Sequence, residues 1–205
     1  MSFYDRHCLP HLINFACNLP IVRAQRQRVV PLASGRVLEV GVGSGLNIPF
    51  YDANKVEHVF ALEPSEGMRR KAASAVARAP FPIEWLQLPG EQIPLEDGSV
   101  DTVLLTYTLC TILDWRQAMS QMRRVLKPDG KLVFCEHGEA PQAAVRRWQN
   151  RLNPIWSCFA GGCQLNRPID RCIESSGFRI DTLDTGYLHG PRVMSFNYSG
   201  VASRG

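Results

Sequence analysis

The stretch Val37-Leu38-Glu39-Val40-Gly41-Val42-Gly43-Ser44-Gly45 decides how the rest of the chain is read. Arg36–Val40 predicts a short apolar strand, and three glycines at alternate positions close it. A chain that bends sharply there and lets a ligand touch its backbone excludes side chains. If a helix opens directly after the loop, its free N–H groups face that ligand. The spacing narrows the ligand further. A dinucleotide fingerprint counted from Gly41 needs glycine or alanine at position 46, and that residue is Leu46. Instead an acid, Glu39, precedes Gly41 by two residues. A nucleoside without a pyrophosphate has no need of the third glycine of that fingerprint.

A second acid supports the same reading. Glu63 follows the apolar run Val56–Leu62 in Leu62-Glu63-Pro64. In an open parallel sheet the end of the second strand lies beside the first loop, at the point where strand order reverses. A carboxylate there can accept both hydrogen bonds of a ribose diol, although a solvated surface acid is the plainer role for a lone Glu.

Working outward, strands and helices alternate. Leu9–Cys17 has helical spacing, broken by Asn18-Leu19-Pro20, and Ile21–Val30 predicts a second helix ending before Pro31. Asn47 is placed as the cap of a helix with Pro49 in its first turn. Ser65 caps a helix over Glu66–Arg78, followed by strands at Ile83–Leu88 and Val100–Thr106. A helix at Trp115–Leu126 stops at Lys127-Pro128-Asp129-Gly130, and Lys131–Glu136 is a fifth strand. Strands this apolar are buried on both faces, so the fold is α/β, a mainly parallel sheet covered by helices. Beyond it the spacing predicts a helix at Ala143–Leu152 and an irregular insertion at Asn153–Arg167. It predicts another helix at Pro168–Ser175, then an antiparallel strand pair, Phe178–Leu183 and Ser195–Ala202.

The 205 residues suit one domain: a helical lid (1–33), a cofactor-binding core (34–136) and an acceptor-side region (137–205). Hydrophobic residues make up 45% and charged residues 20%, which excludes a disordered chain. A formal charge of +4 is spread along the sequence without a basic stripe or an RNA-binding motif, so no nucleic acid is expected. No run of eighteen apolar residues and no secretory signal is seen, and the cytoplasm is the expected location. The seven cysteines include no CxxC, and Cys158 and Cys163 stand outside common zinc spacings. Reduced thiols and no metal are therefore expected. Cys110 and Cys135 lie in apolar runs.

With four motifs in order, the chain resembles the class I S-adenosylmethionine-dependent methyltransferases from Arg36 to about Glu136. Glu39 to Gly45 resembles their first motif, and Glu63-Pro64-Ser65 the acid after the second strand. Gly90-Glu91-Gln92-Ile93-Pro94 through Asp101 resembles the adenine-contact stretch, and Arg124-Val125-Leu126-Lys127-Pro128-Asp129-Gly130 the turn before the fifth strand. Within that family it is most similar to the thiol methyltransferases, through Thr108-Leu109-Cys110, Glu136-His137, Trp156 and Gly162-Cys163-Gln164-Leu165-Asn166-Arg167. Quinone C-methyltransferases share the central motifs. Bacterial phosphatidylethanolamine N-methyltransferases share the glycine loop and the Phe3-Tyr4-Asp5 start.

The resemblance implies a seven-stranded Rossmann-like sheet and S-adenosyl-L-methionine as cofactor. The cofactor would be held by Glu39, Gly41, Gly43, Gly45, Glu63, Pro64, Met68, Gly90, Glu91 and Thr106. Pro89 stands where many relatives carry Asp, which shifts adenine recognition to the Gly90 backbone and Glu91. A small, lipophilic-tolerant acceptor is expected, thiol first, with a phospholipid amine or quinone-type ring as alternatives. A cofactor-binding regulator without turnover is the alternative of another class. His137 is the candidate base because imidazole titrates near neutrality, or it positions the next loop. Tyr107 is the second catalytic candidate, as a substrate wall, or else a core aromatic. Tyr4, Cys110, Trp156 and Arg167 are candidates for the acceptor side, although Cys110 also suits a small helix-packing position and Arg167 a structural one. Trp148, Trp156 and Phe159, beside Arg146, Arg147 and Arg151, form either a packed stripe or an interfacial face. Monomer, homodimer and peripheral membrane contact all stay open.

Overall fold

The computed structural model describes residues 9–205. Tyr4 lies outside the described residues. Two helices come first, α1 (Leu9–Cys17) and α2 (Pro20–Val29), the second continued by a 3-10 turn at Val30–Leu32. Strand β1 (Gly35–Val40) leads through the glycine loop to β2 (Val56–Leu62). Then come α3 (Glu66–Ala77), β3 (Ile83–Leu86), β4 (Val100–Thr106), α4 (Trp115–Val125) and β5 (Leu126–His137). The remainder is α5 (Ala143–Phe159), α6 (Ile169–Glu174), β6 (Phe178–Tyr187), α7 (Arg192–Ser195) and β7 (Phe196–Arg204).

The seven strands run in the order β3-β2-β1-β4-β5-β7-β6. Strands β1 to β5 pair in parallel, and β7 enters antiparallel between β5 and β6. This is the Rossmann-like class I methyltransferase architecture. Side chains alternate across a strand. Leu38, Val40, Val103 and Leu105 therefore pack on one face with Met119 and Met122 of α4. Val37, Leu104 and Val133 pack on the other with Val29 of α2. Strand order reverses between β1 and β4, where the carboxyl ends of both strands open a crevice.

Several elements depart from the sequence expectations. No α-helix follows the glycine loop; a single 3-10 turn, Ile48–Phe50, stands there, and Asn47 makes no side-chain cap. Its amide is buried in a polar network instead. Lys127-Pro128-Asp129-Gly130 is not a separating turn, because β5 begins at Leu126 and carries these residues as an irregularity. The register jumps between Val100↔Leu126 and Thr102↔Lys131. The insertion is half helical: α5 runs on to Phe159 with Pro154 inside it. The stripe on α5 does not pack on the sheet. Trp148 and Phe159 are 55% and 63% exposed, and Arg151 lies over the Trp148 ring.

Candidate active site

A cavity of ≈ 440 Å³ occupies the crevice. That volume falls within the ~300–1,000 Å³ range of small-molecule sites. Its floor is the glycine loop, Gly41 to Ser44, with Leu46. Glu63, Pro64 and Met68 form one side, Gly90 and Glu91 another, and Thr106, Tyr107 and Thr108 a third. Helix α1 covers it with Leu9, Ile13, Asn14 and Cys17.

Each loop glycine answers a different local demand. A Cβ on Gly41 would stand 2.4 Å from Thr108 Oγ1, so the loop after β4 leaves it no room. A Cβ on Gly43 would meet nothing nearer than Met68 Cε at 3.8 Å; there the open space is the cavity, and φ of +58° favours glycine. Gly45 does not line the cavity and lets α3 approach, with Ala72 Cβ at 3.2 Å.

Glu63 ties the loop to α3. Its Oε2 accepts from the Gly43 N–H at 2.9 Å and its Oε1 from the Ser65 N–H at 2.8 Å. Burial pushes its carboxyl above the ordinary range, against the pull of those two amides. Each carboxylate oxygen keeps lone pairs for a further donor. Two hydroxyls of a ribose can therefore still be held.

Glu39 lies elsewhere. It shares the α2 face of the sheet with Val37 and is turned away from the cavity. Asn47 Nδ2 donates to its Oε1 at 2.8 Å and the Tyr51 hydroxyl to its Oε2 at 2.7 Å. Burial raises its pKa, and the two donors only partly offset that. The same network contains Arg26 of α2. Its Nη1 donates to Asn47 Oδ1 and to Thr106 Oγ1, both at 2.7 Å. The guanidinium lines the cavity, lies 5.4 Å from the centre of the Tyr107 ring, and leaves its buried Nε without a partner. A cationic side chain on the wall suits a carboxylate ligand.

Tyr107 stands between cavity and core, packed against the cluster of Val37 and Leu104. It lines the cavity, its hydroxyl donates to Asn197 Oδ1 at 2.9 Å, and its φ is +56°. That backbone geometry is costly for a bulky residue and recurs at functional sites. Burial raises its phenol well above the usual value.

The remaining candidates stand behind the cavity wall and do not line it. Cys110 is buried and lies in the turn over residues 109–111. Glu136 accepts the N–H groups of Thr108, Leu109 and Cys110 and is fully buried. Arg167 donates to the Cys110 and Ile112 carbonyls, so its charge braces this loop and does not reach the cavity. His137 Nε2 stands 2.9 Å from Cys163 Sγ, and Trp156 Nε1 donates to the same sulfur at 3.3 Å. The Cys163 thiol is pulled well below its ordinary pKa, first by the Cys110 thiol and then by His137, against burial. Burial works to lower the His137 pKa, but Cys163 raises it on balance. Arg26 and Cys17 were not singled out from the sequence. Their only signal was an arginine within an otherwise ordinary helix and one thiol among several scattered along the chain.

The Methyltransferase domain family model matches residues 38–134. Thiol S-methyltransferase TMT1B of Homo sapiens is 34% identical over 152 residues, covering 71% of this chain and 62% of that protein. Demethylmenaquinone methyltransferase of Clavibacter sepedonicus is 31% identical over 124 residues, covering 60% and 50%. The chain spans about three fifths of the length of the thiol methyltransferases it matches. Among solved structures, a possible histamine N-methyltransferase from Thermotoga maritima superposes with a TM-score of 0.68 at 19% identity, covering 97% of this chain and 98% of that one. That likeness concerns the fold.

Proposed function

We propose that this chain, which belongs to the class I S-adenosylmethionine-dependent methyltransferases, moves a methyl group onto the sulfur of a small thiol-bearing acceptor. The observation that carries the methyl-donor half is Glu63. A buried carboxylate bridges bare main chain at Gly43 to the start of α3 and keeps acceptor capacity toward the cavity. S-adenosylmethionine, when bound, supplies an electrophilic sulfonium methyl and a neutral leaving group. Glu63 takes the ribose hydroxyls, and the Gly41–Ser44 backbone passes beneath. The positive charge of Arg26 on the cavity wall would attract the donor's carboxylate. Pro64, Met68, Gly90 and Glu91 flank the base.

Because the displacement is in line, the protein contributes mainly by fixing the distance and excluding water. Helix α1 serves as the cover. Among the described residues, the cavity wall carries no histidine or lysine to deprotonate an acceptor. An acceptor that ionises by itself near pH 8–9 fits that wall better than a protonated amine or a phenol. The kinship with thiol S-methyltransferases supports the same choice.

The test is a panel of alkyl thiols, amines and phenols incubated with methyl-labelled donor, with products separated by mass. A labelled thioether is the expected product. Labelled amines or phenols without thioether would reject the acceptor assignment. Tight donor binding without any product would make the chain a regulator.

A further inference from the structure

Three side chains from three distant segments converge behind the cavity wall. Cys110 is on the loop after β4, His137 ends β5, and Cys163 follows α5. One ligand atom of each lies within 4.8 Å of the other two. In a tetrahedral zinc site the S–S and S–N separations are roughly 3.6–3.8 Å, as bond lengths of about 2.3 and 2.0–2.1 Å require. The set therefore needs small adjustments to close on an ion. Cys110 and Cys163 are buried and His137 is half-buried. The nearby carboxylate, Glu136, is spent on three backbone amides and does not compete as a ligand.

The surrounding contacts are of the kind that orient metal ligands. Glu136 fixes the Cys110 backbone by accepting its N–H at 3.4 Å, and Gln164 N and Arg167 Nη2 fix it by donating to its carbonyl. Trp156 donates to the Cys163 sulfur. Two soft sulfurs and one imidazole select zinc over magnesium or calcium. Three protein ligands leave one coordination position free, as in catalytic zinc sites. Thr111 and Gly161, near Cys110 and Cys163 in sequence, belong to the cavity wall.

We propose that Cys110, His137 and Cys163 form a three-ligand site for a soft divalent cation, zinc by its donor set, with its fourth position toward the cavity. The site stands independently of the acceptor. Only the occupant of the fourth position, the acceptor's thiolate, rests on the thiol reading above.

The test begins with the whole protein, stripped by chelator, kept reduced and titrated with Zn²⁺ against a chromophoric chelator, without donor or acceptor. One equivalent is expected to bind. Cys110→Ser, Cys163→Ser and His137→Asn should each weaken binding by more than the about 10–100-fold that changes in the outer shell cost. Cys158→Ser, at an exposed thiol, should leave it unchanged. Cobalt loading should give the sulfur-to-metal charge-transfer band and strong visible bands of a tetrahedral site. Failure of the wild-type protein to take up zinc overturns the site, and so does uptake that survives all three ligand variants. The fourth position is read separately, by adding a small alkyl thiol to the cobalt protein. A stronger charge-transfer band is expected. An unchanged band in a protein that still methylates thiols removes the thiolate from that position, and zinc binding without thiol methylation sinks the acceptor reading alone.

Discussion

Two glycines two residues apart carry opposite burdens. Gly41 faces Thr108 with no spare volume, whereas Gly43 faces the cavity. Gly41→Ala should lower stability by about 1–3 kcal/mol, the usual cost of overpacking, with a reduced melting temperature. Gly43→Ala should cost about 1–2 kcal/mol for its left-handed backbone and, beyond that, weaken S-adenosylmethionine binding. Gly43→Arg should abolish that binding while the sheet still melts cooperatively. Calorimetry on the folded variants decides this, and unchanged donor affinity in Gly43→Arg would displace the site. Glu63 gives a pH signature. Its folded pKa lies above 4.5, and the ionised form accepts the ribose hydroxyls. Donor affinity should therefore hold at neutral pH and fall on acidification, with its midpoint above the ordinary carboxylate value. Glu63→Gln should flatten that profile and weaken binding by about 1–3 kcal/mol. A wild-type profile in the variant would remove Glu63 from the site.

Which residues the sequence revealed depends on how locally their partners lie. The glycine loop and Glu63 were legible because strand, turn and acid are adjacent in the chain. Glu39 was read as a ligand contact, yet alternation along β1 puts it on the face of Val37, beneath α2. Its partners Asn47 and Tyr51 lie in a segment expected to be helix, so the network could not be anticipated. Arg26 was hidden for the same reason: its burial depends on Thr106, eighty residues away.

At the level of elements, boundaries were readable wherever a cap or a breaker is local. Ser65 caps α3 by accepting from Met68 N, and Asp114 caps α4 by accepting from Gln117 N. Lys127 to Gly130 misled because a proline-glycine turn signal was overridden by pairing of Leu126 with Val100. The length of α5 misled because Asn153–Arg167 was read as an irregular insertion, whereas the helix runs on through Pro154. Helix α5 is anchored by Gln149, 1% exposed, which donates to the carbonyls of Gly138, Leu165 and Val193 and accepts the Ala140 N–H. Gln149→Leu should cost about 2–4 kcal/mol, because it strands several buried polar groups at once. The urea midpoint measures it, and exchange of the Ala140 amide should accelerate most. A midpoint equal to that of the wild type would show that α5 is held by its apolar contacts.

Across the molecule, one acid fastens three strands at the end opposite the cavity. Asp101 of β4 accepts from the Arg36 N–H of β1 at 2.9 Å and from Lys127 of β5 at 2.5 Å. Burial opposes its ionisation, but Lys127 and the backbone amide outweigh that and hold its pKa below 3.8. A group depressed in the folded state contributes stability that is present above the unfolded value and disappears as pH falls through the folded one. Acid melts should show this contribution fading below pH 3.8, and Asp101→Asn should lose it already at neutrality. Identical acid limbs for the two proteins would exclude the acid as a strand clamp. No helix among the described residues is long and apolar enough to cross a membrane.

The antiparallel placement of β7 has a consequence for biosynthesis. Tyr107 stands mid-chain, yet the group that steadies its phenol is Asn197, ninety residues downstream. A ribosome must deliver ninety residues beyond Tyr107 before that hydroxyl finds its mate. The cavity thus reaches its final shape late, after the strands that flank it have already paired, and a nascent fragment holding every glycine of the loop still lacks a finished pocket.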